Sequence, residues 1–151
     1  MLKRTLLILV CTLFAGPIMA GENGIIKKKS LHSVTVTLDR LENILTKKGI
    51  TVVLRWKHSD KAKAVGIKMR NTEILIFGNP KMGSPLMLSN QEIGIDLPMK
   101  ALAYKDADGQ VWLVYNDPAY LKKRHGITDK DKVFAKMTGA LDKLTSKAVG
   151  K

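Results

Sequence analysis

The chain has 151 residues and a formal net charge of +13 at pH 7, with 26 Lys and Arg against 13 Asp and Glu. Its single cysteine excludes a disulfide framework and a cysteine-rich metal site. The basic charge alone does not point to nucleic acid, because no finger spacing and no aromatic-rich basic strand motif is present.

The N-terminus reads as a signal peptide over residues 1–20. Lys3 and Arg4 form its charged region, Leu6 to Ala15 an apolar core, and Gly16-Pro17 a break before the small residue Ala20. The core is shorter than the roughly 20 residues of a membrane span. Cleavage near Ala20 sends the protein to the periplasm or outside the cell. It removes Cys11 and leaves about 130 residues, enough for one domain with a real core. The mature part stays strongly basic, which in an exported protein points to anionic lipid, an acidic protein or a small anionic ligand.

Residues 21–30, with Lys27-Lys28-Lys29, read as a flexible basic tether. Alternation from His32 to Thr37 predicts a strand, and Thr37 a cap for a helix carrying Leu38, Leu41 and Leu45 to Gly49. From Ile50 to Lys57 a second alternation predicts a strand with Ile50, Val52, Leu54 and Trp56 inward and Thr51, Arg55 and Lys57 outward. A short helix capped by Ser59 or Asp60 follows. The apolar runs Thr72–Phe77 and Val111–Tyr115 predict central strands covered on both faces. Asp106-Ala-Asp-Gly109 between apolar runs predicts a hairpin. Ser84-Pro85 and Asp117-Pro118 predict helix starts. Residues 127–151 form an amphipathic basic helix, with Phe134, Met137, Leu141, Leu144 and Ala148 on one stripe and lysines opposite. The pattern predicts an α+β fold: a two-layer sandwich of a mainly antiparallel sheet packed against helices, with an amphipathic C-terminal helix.

Chemistry is sparsely signalled. Gly78-Asn79-Pro80-Lys81 and Asn116-Asp117-Pro118 end two apolar strands where helices begin, so Asn79 and Asp117 read as caps. A helix N-terminus also receives anions, and Lys81 stands close to one of them. His58 with Asp96 or Asp117 forms an alternative acid–base set. Asp96, between apolar residues before Pro98, reads equally as a turn residue bonded to backbone N–H groups. No nucleophile elbow, phosphate loop or metal-binding histidine spacing occurs. Met82, Met87 and Met99 read as apolar filler.

The ordered series Asp39-Arg-Leu-Glu42, Lys48-Gly49, His58, Ala62-Lys-Ala-Val-Gly66, Phe77-Gly-Asn-Pro80, Pro85-Leu-Met87, Asp96-Leu-Pro98, Asp108-Gly109 and Asn116-Asp-Pro-Ala-Tyr-Leu121 resembles the domain of unknown function 302 family over residues 31–126. The resemblance implies a compact α+β domain and homodimers. It implies signature positions at His58, Asn79, Pro80, Asp96, Asn116, Asp117 and Pro118, but no activity and no cofactor. The leading expectation is an exported binding domain for a small anionic or polar ligand or a protein partner. Its candidate ligand-binding residues are His58, Asn79, Lys81, Asp96, Asn116 and Asp117, drawn together in one hollow. The alternatives are an acid–base enzyme and a role in assembly or at a membrane surface through the basic C-terminal helix. Catalytic residues are unassigned, and no metal and no nucleic-acid partner is expected.

Overall fold

The computed structural model describes residues 23–151, so the segment read as a signal peptide lies outside the described residues. Residues 25–30 are not a tether. They form strand β1 (Ile25–Ser30), paired antiparallel with β5 at the edge of the sheet. Ile26, Lys28 and Ser30 turn inward on alternate positions. The lysine run hides this pattern, because the charge of Lys28 is met only by a residue 114 positions away. Its Nζ donates to the carbonyl and the carboxylate of Asp142, each at 2.7 Å, and to Ser146 Oγ at 2.8 Å. Burial pushes the Lys28 amine below its ordinary pKa, against the pull of Asp142.

The strand expected over His32–Thr37 is the start of a helix. Helix α1 (Val34–Lys47) is capped by Ser33, whose Oγ accepts from Val36 N–H. Thr37 is not the cap; it is buried and donates to the Ser33 carbonyl. The β-branched Val34 and Val36 imitate a strand, but the helical spacing of Val34, Leu38, Leu41 and Leu45 prevails because it buries one continuous stripe. Gly49, at φ +66°, takes the left-handed position that ends the helix.

Strand β2 (Thr51–Lys57) carries a bulge between Val52 and Leu54, which shifts its register against β3 (Thr72–Gly78). Beyond the bulge the alternation is opposite to expectation. Leu54 and Trp56 face outward, 45% and 41% exposed, and Arg55 faces the helices. There Arg55 pairs with Glu73 Oε2 (2.8 Å), which is 2% exposed, and with Asp39 of α1. Thr35 Oγ1 donates to the other Glu73 oxygen at 2.6 Å.

After α2 (His58–Ala64), which begins without a side-chain cap, come β3, α3 (Pro80–Ser89), a short 3-10 turn at Gln91–Ile95, β4 (Met99–Lys105) and β5 (Val111–Asn116). Then α4 (Pro118–Arg124) and α5 (Asp131–Val149) complete the chain. The sheet order is β1-β5-β4-β3-β2 and every pairing is antiparallel. The architecture is the expected α+β sandwich.

Helices α1 and α5 cover one face, over Leu75, Phe77, Ala101, Ala103, Leu113 and Tyr115. Burial raises the Tyr115 phenol to about 12. The C-terminal helix is therefore part of the domain core, not an appendage. Its apolar stripe is taken up by α1, α4 and β1. Strands β3 and β5 are covered on one face, not two: Ile74, Ile76, Leu102, Tyr104, Trp112 and Val114 stand on the other, half-buried.

The Glu73 carboxylate is the fully enclosed member of its network, and removing it leaves the Arg55 guanidinium without its inner partner. Glu73→Ala is expected to destabilise the domain by about 2–3 kcal/mol, less than a wholly buried pair loses because Arg55 keeps Asp39 and some water. The paired Glu73→Leu, Arg55→Met variant should recover most of that loss. Urea unfolding of the three proteins measures both effects.

Candidate functional site

The sheet places four of the expected polar tips at one end. Gly78 ends β3 beside Thr51 of β2, Phe77 lies opposite Met99 at the start of β4, and Asn116 ends β5 opposite Ile25. Asn79, Asp96, Asn116 and Asp117 all follow or precede these positions, with Lys81 one turn into α3. His58 is not among them. It follows Lys57, which pairs with Glu73 at the far end of β3, five residues from Gly78. At the rise of an extended strand this separation is about 17 Å. His58 therefore cannot exchange a proton with Asp96 or Asp117, and the expected acid–base set does not form.

The remaining residues do not share one hollow. Asn79 is the cap of α3, its Oδ1 accepting from Lys81 N–H at 3.0 Å. Asp117 caps α4 through Ala119 N–H at 2.9 Å. Asp96 meets the other end of that helix, about 10 Å away along seven helical residues. Asn116 stands on the open side of the sheet. Capping thus occupies two of the expected ligand groups, and of the six candidates only Asn79 lines the cavity at this end of the sheet. Pro118 and Gly24 fix the β5 exit: Asp117 N–H donates to the Gly24 carbonyl, and a side chain at Gly24 would collide with the Tyr120 ring.

Asp96 does not bond backbone N–H groups as a turn residue would. Its Oδ2 lies 2.6 Å from His125 Nε2, and its Oδ1 lies 3.5 Å from Arg124. The side chains of Asp96 and His125 are 11% and 6% exposed. Asn90 completes the cluster by donating to the His125 carbonyl at 2.9 Å. The cluster ties the C-terminus of α4 to the segment that leads into Pro98. No local spacing in the sequence marks His125, because its partner is 29 residues away.

Beside this segment lies a cavity of about 520 Å³ that no local motif announces. Its walls come from α3, the middle of α5, the adjoining ends of β2, β3 and β4, and Leu97-Pro98. Met82, Met87, Met99 and Met137 all line it. Thr51, Asn79 and Ser84 are its polar residues; no ionisable side chain reaches it. On the α3 side the wall combines the short or ring-shaped Pro80, Gly83 and Ser84 with Met82 and Met87. Its volume falls within the roughly 300–1,000 Å³ usual for small-molecule sites. Among the described residues no group of three or more His, Cys, Asp or Glu is arranged to hold a metal ion.

The Asp96–His125 contact should be worth more than a surface ion pair because both partners are largely enclosed. Asp96→Asn is expected to cost about 1–2 kcal/mol in chemical denaturation. It should also raise amide exchange in residues 93–99, which include the cavity wall. Unchanged exchange there would sever the link between cluster and cavity.

Comparison with known proteins gives the same outline. Two curated relatives, the proteins named Fluoride-specific ion channel FluC 1 of Brucella suis and of Brucella abortus, are each 40% identical over 120 residues, or 78% of this chain. The chain spans 47% and 44% of their lengths, less than half of either. The crystal structure of an uncharacterized conserved protein DUF302 from Bacillus stearothermophilus superposes with a TM-score of 0.66 at 19% identity, covering 83% of this chain and 95% of that one. The profile of the family described as "Domain of unknown function DUF302" matches residues 26–144, reaching past 31–126 to take in β1 and most of α5. Sheet order, strand-end motifs and this match together make the chain a member of the DUF302 family.

Proposed function

We propose that this chain is an exported binding domain whose working site is the methionine-lined cavity, and that its ligand is a small apolar molecule such as a medium-length acyl chain. The observation that carries the reading is the cavity itself: a formed hollow of about 520 Å³ whose wall is apolar apart from three neutral polar residues. Such a wall gives an apolar ligand dispersion contacts and removes it from water, while it would strip an anion of hydration without replacing it. The anionic ligand expected from the sequence has less support, since Asn79 and Asp117 act as caps, Asp96 pairs with His125, and His58 stands at the far end of the sheet. The unbranched thioether side chains let one wall fit ligands of different shape. Export rests on the signal-like residues 1–20.

Transport is not part of this reading. The Brucella relatives are more than twice as long as the shared segment, and the described residues of this chain contain no helix long and apolar enough to cross a membrane. The channel activity in those names is taken to reside in the part of the relatives that this chain does not match.

A thermal-shift series with octanoate, decanol and dodecanol tests the ligand. The expected result is a melting temperature that rises with alkyl length, as burial of each methylene adds about 0.8 kcal/mol. Ala140, exposed at the cavity mouth, gives the control: Ala140→Phe should leave the free protein's melting temperature unchanged and abolish the ligand shift. No shift with any alkyl probe would end the reading.

The open sheet face favours a second role, self-association. Leu54, Trp56, Ile74, Ile76, Leu102 and Val114 stand on it together, and the positions of all five strands on that side carry no carboxylate. Lys27 lies over the Trp112 ring at 4.1 Å and Lys61 over Trp56 at 4.8 Å. A face of this composition is hydrophobic enough to bury against a copy of itself. Light scattering should give a dimer mass for the mature protein and a monomer mass for Leu102→Lys. A monomer at every concentration would remove this role.

A further inference from the structure

Four of the five methionines in residues 23–151 line one cavity, and they arrive there from three elements: Met82 and Met87 from α3, Met99 from β4 and Met137 from α5. The fifth, Met69, lies apart and is 49% exposed. Leucine or isoleucine would fill such a wall with less conformational freedom, so the gathering of thioethers is a chemical feature and not only an apolar one. A thioether sulfur is a soft, neutral donor. It selects soft monovalent cations such as Cu(I) and Ag(I) over Mg²⁺, Ca²⁺ or Zn²⁺, which demand oxygen, imidazole or thiolate.

We propose that the methionine-lined cavity holds one soft monovalent cation, Cu(I) or Ag(I), on thioether sulfurs drawn from Met82, Met87, Met99 and Met137. The inference shares with the reading above only the identity of the cavity as the working site; it does not depend on an apolar ligand. Three further observations agree with it. No ionisable side chain lines the cavity, so no hard anionic ligand competes for a different metal and no ammonium or guanidinium stands there to repel a cation. Met99 and Met137 are 6% and 7% exposed, which shields a bound ion from water and thiols outside. The Met side chain has three rotatable bonds, so its sulfur can adjust its position toward a bound ion. A single charge also costs less than a double one to place in an apolar enclosure. Because a thioether has no proton to lose, affinity should be the same at about pH 5.5 and pH 7.5, unlike that of a His or Cys site.

The test is titration of the mature protein with silver nitrate in chloride-free buffer, followed by calorimetry and by NMR of the methionine methyl groups. The expected result is one equivalent bound, with shifts in at least three of the four cavity methionines and none in Met69. The variant Met82→Leu, Met99→Leu, Met137→Leu conserves volume and should lose at least tenfold in silver affinity while keeping the circular dichroism spectrum of the unaltered protein. Silver that moves Met69 as much as the cavity methionines, or that binds the triple variant equally well, overturns the proposal. The methyl spectrum of the unaltered protein distinguishes these outcomes even if the variant fails to fold. Decanol binding without silver binding would overturn this inference alone, whereas silver binding without alkyl binding would overturn the apolar-ligand reading and leave the cation site standing.

Discussion

The domain is organised around two charges buried between its sheet and its helices. Glu73, in the middle layer at 2% exposure, is tolerable only because Arg55 and Thr35 meet both of its oxygens. Lys28, equally enclosed, is tolerable only because three oxygens of α5 surround its amine. One charge fixes α1 over the β2–β3 side of the sheet, and the other fixes α5 over β1. Arg40 joins the two helices by donating to the carbonyls of Lys147 and Ala148. Apolar contact alone would let either helix slide along the sheet; these directional contacts select one register.

That arrangement produces the cavity. Helix α1 lies over β2, β3 and β4 and α5 over β1, while at one corner the adjoining ends of β2, β3 and β4 border a cavity walled by α3 and the middle of α5. Helix α3 begins immediately at Asn79-Pro80, and Gly83 and Ser84 bring only short groups to the cavity wall. The corner is therefore roofed but not filled. The methionines that border it are the side chains best able to close such a gap loosely. The Asp96–His125 cluster holds the floor of this corner in place from the outside, by fixing the chain just before Leu97-Pro98.

The opposite face of the sheet follows a different logic. It is largely apolar, only α2 leans on its β2–β3 edge, and Lys27 and Lys61 lie over its aromatic rings. Trp112 is further tethered by donation of its indole N–H to Asp106 at 2.6 Å, which holds that carboxyl below its ordinary pKa. Asp106 is thus more than a hairpin residue. One layer of helices leaves one sheet face open, which is the usual consequence of a two-layer fold with an antiparallel sheet.

The sequence by itself determined what depends on neighbours along the chain. The stripe Leu38-Leu41-Leu45 ending at Gly49, the hairpin at Asp106–Gly109, the caps at Asn79 and Asp117, and the apolar face of α5 all follow from local periodicity and turn chemistry, and all are present. The domain's α+β class and family were legible for the same reason. Tertiary structure decided everything that needs a distant partner. Lys27-Lys28-Lys29 resembles a solvated tether until Asp142 neutralises the middle lysine, so β1 could not be read locally. A single bulge at Val53 reversed the faces of β2 and turned Arg55 inward to Glu73, which alternation alone could not foresee. The partner of Asp96 was the histidine at the end of α4, not the one after β2, because sheet direction sets which strand ends meet. The cavity was the least legible feature of all: its wall is assembled from five elements, and empty space leaves no pattern in a sequence.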